Sequence, residues 1–69
     1  MRFATYQVIT TPTQIRYNGD DLEEACATFR RCFHAGYEVE LWEDAHVVAW
    51  SDQVHYYARH NQFNILFTR

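Results

Sequence analysis

The sequence predicts an α+β fold: an antiparallel sheet of four to six strands, in the order β-β-α-β-β with a C-terminal extension, and one helix packed on one face. Two observations lead to this prediction. One stretch, residues 21–35, repeats its apolar side chains with the period of an α-helix. The segments on both sides of it are rich in β-branched and aromatic residues, and several alternate apolar with polar side chains. The 69 residues are enough for a single domain, residues 1–69.

Two segments before the helix predict a hairpin. Residues 3–10 are β-branched or aromatic at most positions, and Pro12 then interrupts the run because proline lacks an amide donor. Residues 14–17 form the second strand. Ile15 and Tyr17 alternate with polar residues there, so we expect both side chains on one side of that strand.

The helix has start and stop signals at both ends. Asp20 is the predicted N-cap, and Glu23 completes an arrangement like a capping box. Gly36 occupies the position where a left-handed residue ends a helix. The stripe predicts that Cys26 faces the core and that Cys32 lies near its edge. The predicted stripe comprises Leu22, Ala25, Cys26, Phe29 and Phe33.

After Gly36 the apolar period changes to two. Tyr37, Val39 and Leu41 share one predicted face, and Trp42 therefore points away from the helix. Residues 47–50 read as the antiparallel return strand. Beyond Ser51 two readings remain open. Residues 54–57 and the alternating residues 63–67 could form a second hairpin, which we favour, or Ser51 or Asp52 could begin a short helix.

The charges are unevenly distributed along the chain. The formal net charge is −3, yet the stretch from Asp20 to Asp44 holds eight acids and two arginines. Such an asymmetry is typical of a solvated surface or of an acidic face offered to a basic partner.

The cysteine pattern and the lack of a long apolar run bear on location. Cys26 and Cys32 are six residues apart on one helix and point about 240° apart, so they are not expected to bridge. Two free thiols, with no predicted export signal or membrane span, predict a cytoplasmic protein without a membrane partner. For a phage-encoded chain this is the host cell cytoplasm.

Neither a metal site nor catalysis is predicted. Cys32 and His34 diverge by about 200° on the helix, and the remaining histidines are scattered, so we expect no metal and no cofactor. The two glycines both have local structural roles, which leaves no glycine-rich loop for an oxyanion or phosphate. Glu38 and Glu40 lie about 7 Å apart on one strand face, but so short a chain offers no walled cleft. We therefore predict that the protein is not an enzyme.

One helix covers a single face of such a sheet, so the other face has no internal partner. Trp42 points to that face, and its candidate neighbours are Trp50, one of Tyr56 and Tyr57, and one of Phe3 and Tyr6. A monomer seldom exposes a large contiguous apolar patch, so this face predicts an interface with another copy or a different protein.

Direct nucleic-acid binding is not favoured. Aromatic and basic residues alternate near the C-terminus, which would suit base stacking, but the negative total charge makes the phosphate contribution small. The residues concerned are Tyr56, Tyr57, Arg59, His60, Phe63 and Arg69.

Residues 15–25, IRYNGDDLEEA, and 36–44, GYEVELWED, resemble segments of small accessory proteins of bacteriophages and mobile elements. Such proteins are similar in size and build to anti-CRISPR proteins, which cover a surface of a CRISPR effector. The resemblance implies a non-enzymatic inhibitor or adaptor that binds a host protein or nucleoprotein complex. The alternative is a homo-oligomeric, for example dimeric, structural or regulatory protein, with nucleic-acid binding as a further option. The predicted contact surface comprises Glu38, Glu40, Trp42, Glu43, Asp44, Trp50 and Tyr57.

Overall fold

The computed structural model describes residues 4–68, which form a five-stranded antiparallel sheet with one α-helix. The sheet order is β2-β1-β3-β4-β5, so the three strands after the helix extend the sheet on the side of β1. This confirms the predicted α+β fold. The elements are β1 (Tyr6–Thr10), β2 (Gln14–Gly19), α1 (Leu22–His34), β3 (Val39–Glu43), β4 (His46–Ser51), β5 (Tyr56–Ala58) and a C-terminal 3₁₀ helix (Asn61–Phe67).

The core lies between the sheet and a layer formed by α1 and the 3₁₀ helix. Phe29 of α1 is fully buried, as are Leu41 of β3 and Leu66 of the 3₁₀ helix. The ring of Phe67 meets those of Phe29 and Phe33 edge to face, with centroids 5.7 and 5.6 Å apart. The C-terminal segment therefore continues the helical layer across the same face of the sheet.

Local contacts define both ends of α1. The N-cap is Asp21, not the predicted Asp20, because the Asp21 carboxylate accepts the backbone N–H of Glu24. The Tyr17 hydroxyl accepts the Asp21 N–H, and Gly19 leaves room for that ring. At the other end Gly36 has φ +94°, which confirms the predicted left-handed terminator.

A glutamine connects the end of α1 to the loop between β4 and β5. The Gln53 Nε2 group donates to the carbonyls of Phe33 and Tyr37 at 2.8 and 2.9 Å. Its backbone has φ +78°, a conformation that non-glycine residues adopt seldom. The two hydrogen bonds anchor this loop, and with it the end of β4, against the helical layer.

A β-bulge overturns one prediction for the first hairpin. Val8 pairs with Tyr17 and Ile9 pairs with Ile15, so Arg16 is an extra residue in β2. Ile15 and Tyr17 therefore lie on opposite faces of the sheet, although their spacing predicted one face. The Arg16 Nε group donates to the Thr10 hydroxyl at 3.0 Å, so the side chain of the extra residue has a hydrogen-bond partner.

The C-terminal alternation does not form a strand. A strand forms at residues 56–58, close to the predicted 54–57, but it pairs with β4, and residues 61–67 form a 3₁₀ helix instead of its predicted hairpin partner. Phe63 and Leu66 are three residues apart, which places both on the core side of a 3₁₀ turn. The alternative helix beginning at Ser51 or Asp52 does not form either, because Asp52 closes a turn that leads into β5.

The two cysteines exchange their predicted environments. Cys32 is buried with 8% of its surface exposed, whereas Cys26 is half-buried. The buried side of α1 also includes Thr28, so the buried stripe is displaced toward Thr28 and Cys32 relative to the predicted stripe. No helix within residues 4–68 is long and apolar enough to cross a lipid bilayer.

Candidate protein-docking face

The face of the sheet opposite α1, called the outer face below, has a continuous row of side chains across all five strands. Paired residues of neighbouring strands share a face, so the pairing register defines the row. Its members, from one edge of the sheet to the other, are Ile15, Ile9, Glu40, Trp50 and Tyr57. Neither of the helices in residues 4–68 lies on this face.

A second row lies beside the first. Trp42 of β3 pairs with Gln7 of β1 and with Val47 of β4, so all three are on the outer face. The Trp42 indole N–H donates to a Glu40 carboxylate oxygen at 3.2 Å, which orients both side chains along the strand. All three residues of this row are half-buried, so the Trp42 ring packs partly against the sheet and still presents surface to solvent.

The outer face ends in an acidic pocket of about 250 Å³. The Thr11 N–H donates to the Glu38 carbonyl, which extends the pairing of β1 with β3 beyond Val39. Glu38 and Asp52 flank the row that contains Glu40 and Trp50, since residues two apart on a strand share a face. The pocket is lined by Ile9, Thr10, Thr11, Thr13, Glu38, Val39, Glu40, Trp50, Ser51 and Asp52.

The Asp52 carboxylate is held by its own loop. It accepts the backbone N–H groups of Val54 and His55, the former at 2.9 Å. The His55 ring Nδ1 lies 3.4 Å from the other carboxylate oxygen. These donors, with the His55 backbone N–H first, lower the pKa of Asp52 below its usual value. Asp52 is therefore charged throughout the physiological pH range.

We expect Asp52→Asn to make the unfolding free energy depend less on pH in the acid range. Because the pKa of Asp52 is lowered in the folded state, its charge stabilises the fold above the unfolded pKa of about 3.9. That stabilisation is lost as the pH falls through the folded pKa. Urea unfolding of both proteins at several pH values checks this: the difference in unfolding free energy should be largest near neutral pH and vanish in strong acid. A constant difference at every pH would contradict the assignment.

The structure brings some of the predicted contact residues together and separates others. Glu40, Trp42, Trp50 and Tyr57 lie on the outer face, and Glu38 lines the acidic pocket at its end. Glu43 and Asp44 are elsewhere.

Glu43 pairs with Tyr6 on the helix-facing side, where burial and then the Glu43 charge raise the pKa of Tyr6. Asp44 is in the β3–β4 turn, where its carboxylate accepts the Thr5 N–H. The two acids therefore belong to local contacts at the opposite end of β3.

The other described aromatic residues that were candidates for the outer face do not lie on it. Tyr6 and Tyr56 are on the helix-facing side, and the Tyr56 ring lies 4.7 Å from that of Phe67. Phe3 lies outside the described residues. Of the residues proposed for base stacking, Phe63 is buried in the core, so the described ones do not form one surface.

Ile9, Ile15 and Asp52 were not predicted to belong to this site. The alternation of residues 6–10 could have predicted that Ile9 lies on the outer face. Only the bulge at Arg16 brings Ile15 to the outer face, and the pairing register alone places Asp52 beside Glu38.

Comparison with known proteins does not assign the chain to a family. No protein-family model matches it, and neither a curated protein nor a solved structure is detectably similar. The two segments from which a resemblance to phage accessory proteins was predicted contain the helix cap Asp21, the terminator Gly36 and strand β3. Those residues are structural, so the outer face is the feature from which a function can be inferred.

Proposed function

We propose that the protein is a non-enzymatic, phage-type inhibitor or adaptor that binds a basic surface of a host protein through its outer face. The supporting observation is the row of side chains, four of its five members aliphatic or aromatic, that crosses all five strands without a covering helix from residues 4–68. Tryptophan and tyrosine supply most of the binding energy in many protein interfaces. Trp42, Trp50 and Tyr57 are the proposed anchors.

Charge favours a basic partner over a second copy. Glu40 stands in the middle strand of the row, and Glu38 and Asp52 lie at its end. Face-to-face pairing of two copies would bring like charges together in an interface from which water is excluded, and this costs binding free energy. The same carboxylates would repel the phosphates of a nucleic acid, whereas they would attract a basic protein surface.

The proposed mechanism is occlusion. Basic protein surfaces often bind the phosphates of nucleic acids. A small acidic protein placed on such a surface would compete with that nucleic acid without a chemical step. A small size and one sheet with one helix are also features of several anti-CRISPR proteins, which supports this proposed mode of action, and a CRISPR effector is the target class that we propose.

The test is a double substitution on the outer face, Trp42→Ala with Glu40→Arg. Host proteins retained by the tagged wild-type chain are identified by mass spectrometry, purified, and titrated against both forms. Loss of one aromatic anchor and reversal of a central charge should weaken binding at least about 100-fold. Both side chains retain solvent exposure, so far-UV circular dichroism should stay native.

The matched control is Ile65→Ala with Asp20→Arg, which removes an exposed apolar side chain and reverses an exposed acid away from the outer face. This control should bind as the wild type does. Equal loss in both doubles, or none in the first, would reject the outer face as the docking surface. Light scattering at micromolar concentration reports the rival dimer, which should be absent.

A further inference from the structure

The two edges of the sheet differ in how they are protected against a further strand. Free backbone groups on an edge strand can pair with another chain, and proteins commonly prevent this with a charge, a proline or a bulge. Strand β2, at one edge, contains a bulge and the charge of Arg16. Strand β5, at the other edge, pairs with β4 in regular register and contains neither a charged residue nor a proline. Its protection is its length of three residues.

The backbone groups that β5 directs away from the sheet follow from the hydrogen bonds beside it. The Arg59 N–H donates to the Val48 carbonyl, in line with the pairing of β4 with β5. Bonded pairs alternate along an antiparallel ladder, so Tyr57 is bonded to β4, while Tyr56 and Ala58 direct their N–H and C=O groups outward. No hydrogen bond within residues 4–68 satisfies these four groups. They are therefore available to a further strand.

The side chains of this edge are exposed on both faces of the sheet. Tyr56 is exposed on the helix-facing side, Tyr57 is exposed on the outer face, and Val54 in the preceding loop has 79% of its surface exposed. Neither α1 nor the 3₁₀ helix therefore covers the edge. An added strand would find both free backbone groups and aromatic surface there.

We propose that β5 pairs with β5 of a second copy, antiparallel and about a two-fold axis that passes between the two Tyr57 residues. The two five-stranded sheets would then form one continuous sheet. In this register Tyr56 of each copy lies opposite Ala58 of the other. Each such pair exchanges two backbone hydrogen bonds, so the outward N–H and C=O groups of both copies are all satisfied.

The side chains and charges near β5 fit a second copy in this register. Tyr56 is large and Ala58 is small, so each ring on the helix-facing side has a small cross-strand neighbour. Tyr57 lies opposite its own counterpart, and an aromatic pair across two strands stabilises a sheet. Beyond the paired residues, Arg59 of each copy lies opposite the loop in which the charged Asp52 carboxylate of the other copy is held. Opposite charges therefore flank the pairing at both ends.

The area of contact predicts a weak dimer. Two strands of three residues bury far less than the roughly 1,200 Å² at which stable interfaces begin. We therefore expect a Kd of about 0.1–1 mM and a monomer at micromolar concentration. The pairing places both outer faces on the same side of the joined sheet, because cross-strand pairs share a face. Where two copies dock side by side on one host assembly, a consequence that rests on the proposed function, edge pairing would make their docking cooperative.

Self-association of the purified protein measures the pairing. Sedimentation equilibrium and NMR translational diffusion are recorded from about 0.02 to about 2 mM, which brackets the expected Kd. Dimer should accumulate toward the upper limit, and the amide signals of Tyr56 and Ala58 should shift with concentration because their N–H groups become hydrogen-bonded. A monomer throughout this range, or association that leaves both signals unchanged, would overturn the proposal.

The position that pairs with itself allows a charge-swap test of the register. Tyr57→Lys and Tyr57→Glu each place like charges opposite one another, so either variant alone should dimerise at least about tenfold more weakly than the wild type. An equimolar mixture pairs opposite charges and should return the Kd to within about threefold of the wild-type value. Tyr57 is exposed, so circular dichroism of both variants should stay native. Weakened association that the mixture does not restore would contradict this register.

The matched controls are Ile15→Lys and Ile15→Glu, which make the same charge changes at an exposed position of the opposite edge strand, β2. Alone or mixed, they should associate as the wild type does. The same weakening and recovery at Ile15 would show that β2 is the paired edge and would reject β5.

The double variant Trp42→Ala, Glu40→Arg separates edge pairing from docking. Both substitutions are in β3, two strands away from the β5 edge, so its self-association should equal that of the wild type. Loss of self-association in this double would show that copies meet through their outer faces and would overturn edge pairing. Conversely, if the wild type does not self-associate while the double loses its host partner, the docking face stands and the edge proposal alone is rejected.

Discussion

Phe29→Ala should unfold most of the protein at 25 °C. Phe29 is fully buried in α1, and its ring meets the edge of Phe67. Truncation of a buried phenylalanine to alanine costs about 3–5 kcal/mol in unfolding free energy. A domain of this length has a total of only about 3–10 kcal/mol. One side chain therefore accounts for a large part of the stability, and circular dichroism with urea unfolding measures the loss.

The matched control is Phe29→Leu, which retains an apolar side chain at the same place. It removes the edge-to-face contact but fills most of the volume, so we expect a loss of about 1–2 kcal/mol and a folded protein. Similar losses for the alanine and leucine variants would show that the aromatic contact, not the filled volume, stabilises the helical layer.

Leu66→Ala should destabilise the protein by about 2–5 kcal/mol, while Ile65→Ala should change the unfolding free energy by less than about 0.5 kcal/mol. The two residues are neighbours in one 3₁₀ helix, yet Leu66 is fully buried and Ile65 is 62% exposed. The 3₁₀ helix is held besides by Arg30, whose guanidinium donates to the Ile65 carbonyl at 2.7 Å. Neither substitution removes that backbone acceptor.

Equilibrium urea unfolding of the two variants measures the contrast. Equal, small effects would mean that residues 61–67 fray from the core in solution and are not part of the helical layer. The contrast between adjacent positions is a stringent test because both variants delete an aliphatic side chain of the same size from the same element.

Sequence reasoning succeeded where a local pattern and burial agree. The apolar period of residues 22–33, with Gly36 after it, predicts α1, and the alternation of residues 37–42 predicts that Trp42 opposes Leu41. These two elements are enough to predict a sheet with one bare face. Trp50 was expected on that face, and the pairing of Trp50 with Glu40 places it there.

Prediction from the sequence failed where an extra residue in a strand, or a second period that fits the same apolar positions, determines the structure. The bulges at Arg16 and Val48 shift the pairing register, and nothing in a period-two pattern reveals an inserted residue. In residues 61–67 the apolar positions fit a period of two or of three. Burial of Phe63 and Leu66 together decided for the 3₁₀ helix.

The acidic pocket was beyond sequence reasoning for a related reason. Glu38 and Asp52 are 14 residues apart in the chain, and only the register of β3 with β4 makes them neighbours.

Because of the bulge at Arg16, two residues of one short edge strand, Ile15 and Tyr17, lie on opposite faces of the sheet. Ile15, before it, belongs to the exposed side of the slab, while Tyr17, after it, reaches the start of α1 through the Asp21 amide. A substitution at Ile15 therefore changes the exposed face of the sheet without removing the contact of Tyr17 with the start of α1. Deletion of Arg16 would remove the bulge and leave the same pairs, Val8 with Tyr17 and Ile9 with Ile15, so each of the two side chains would keep its face of the sheet.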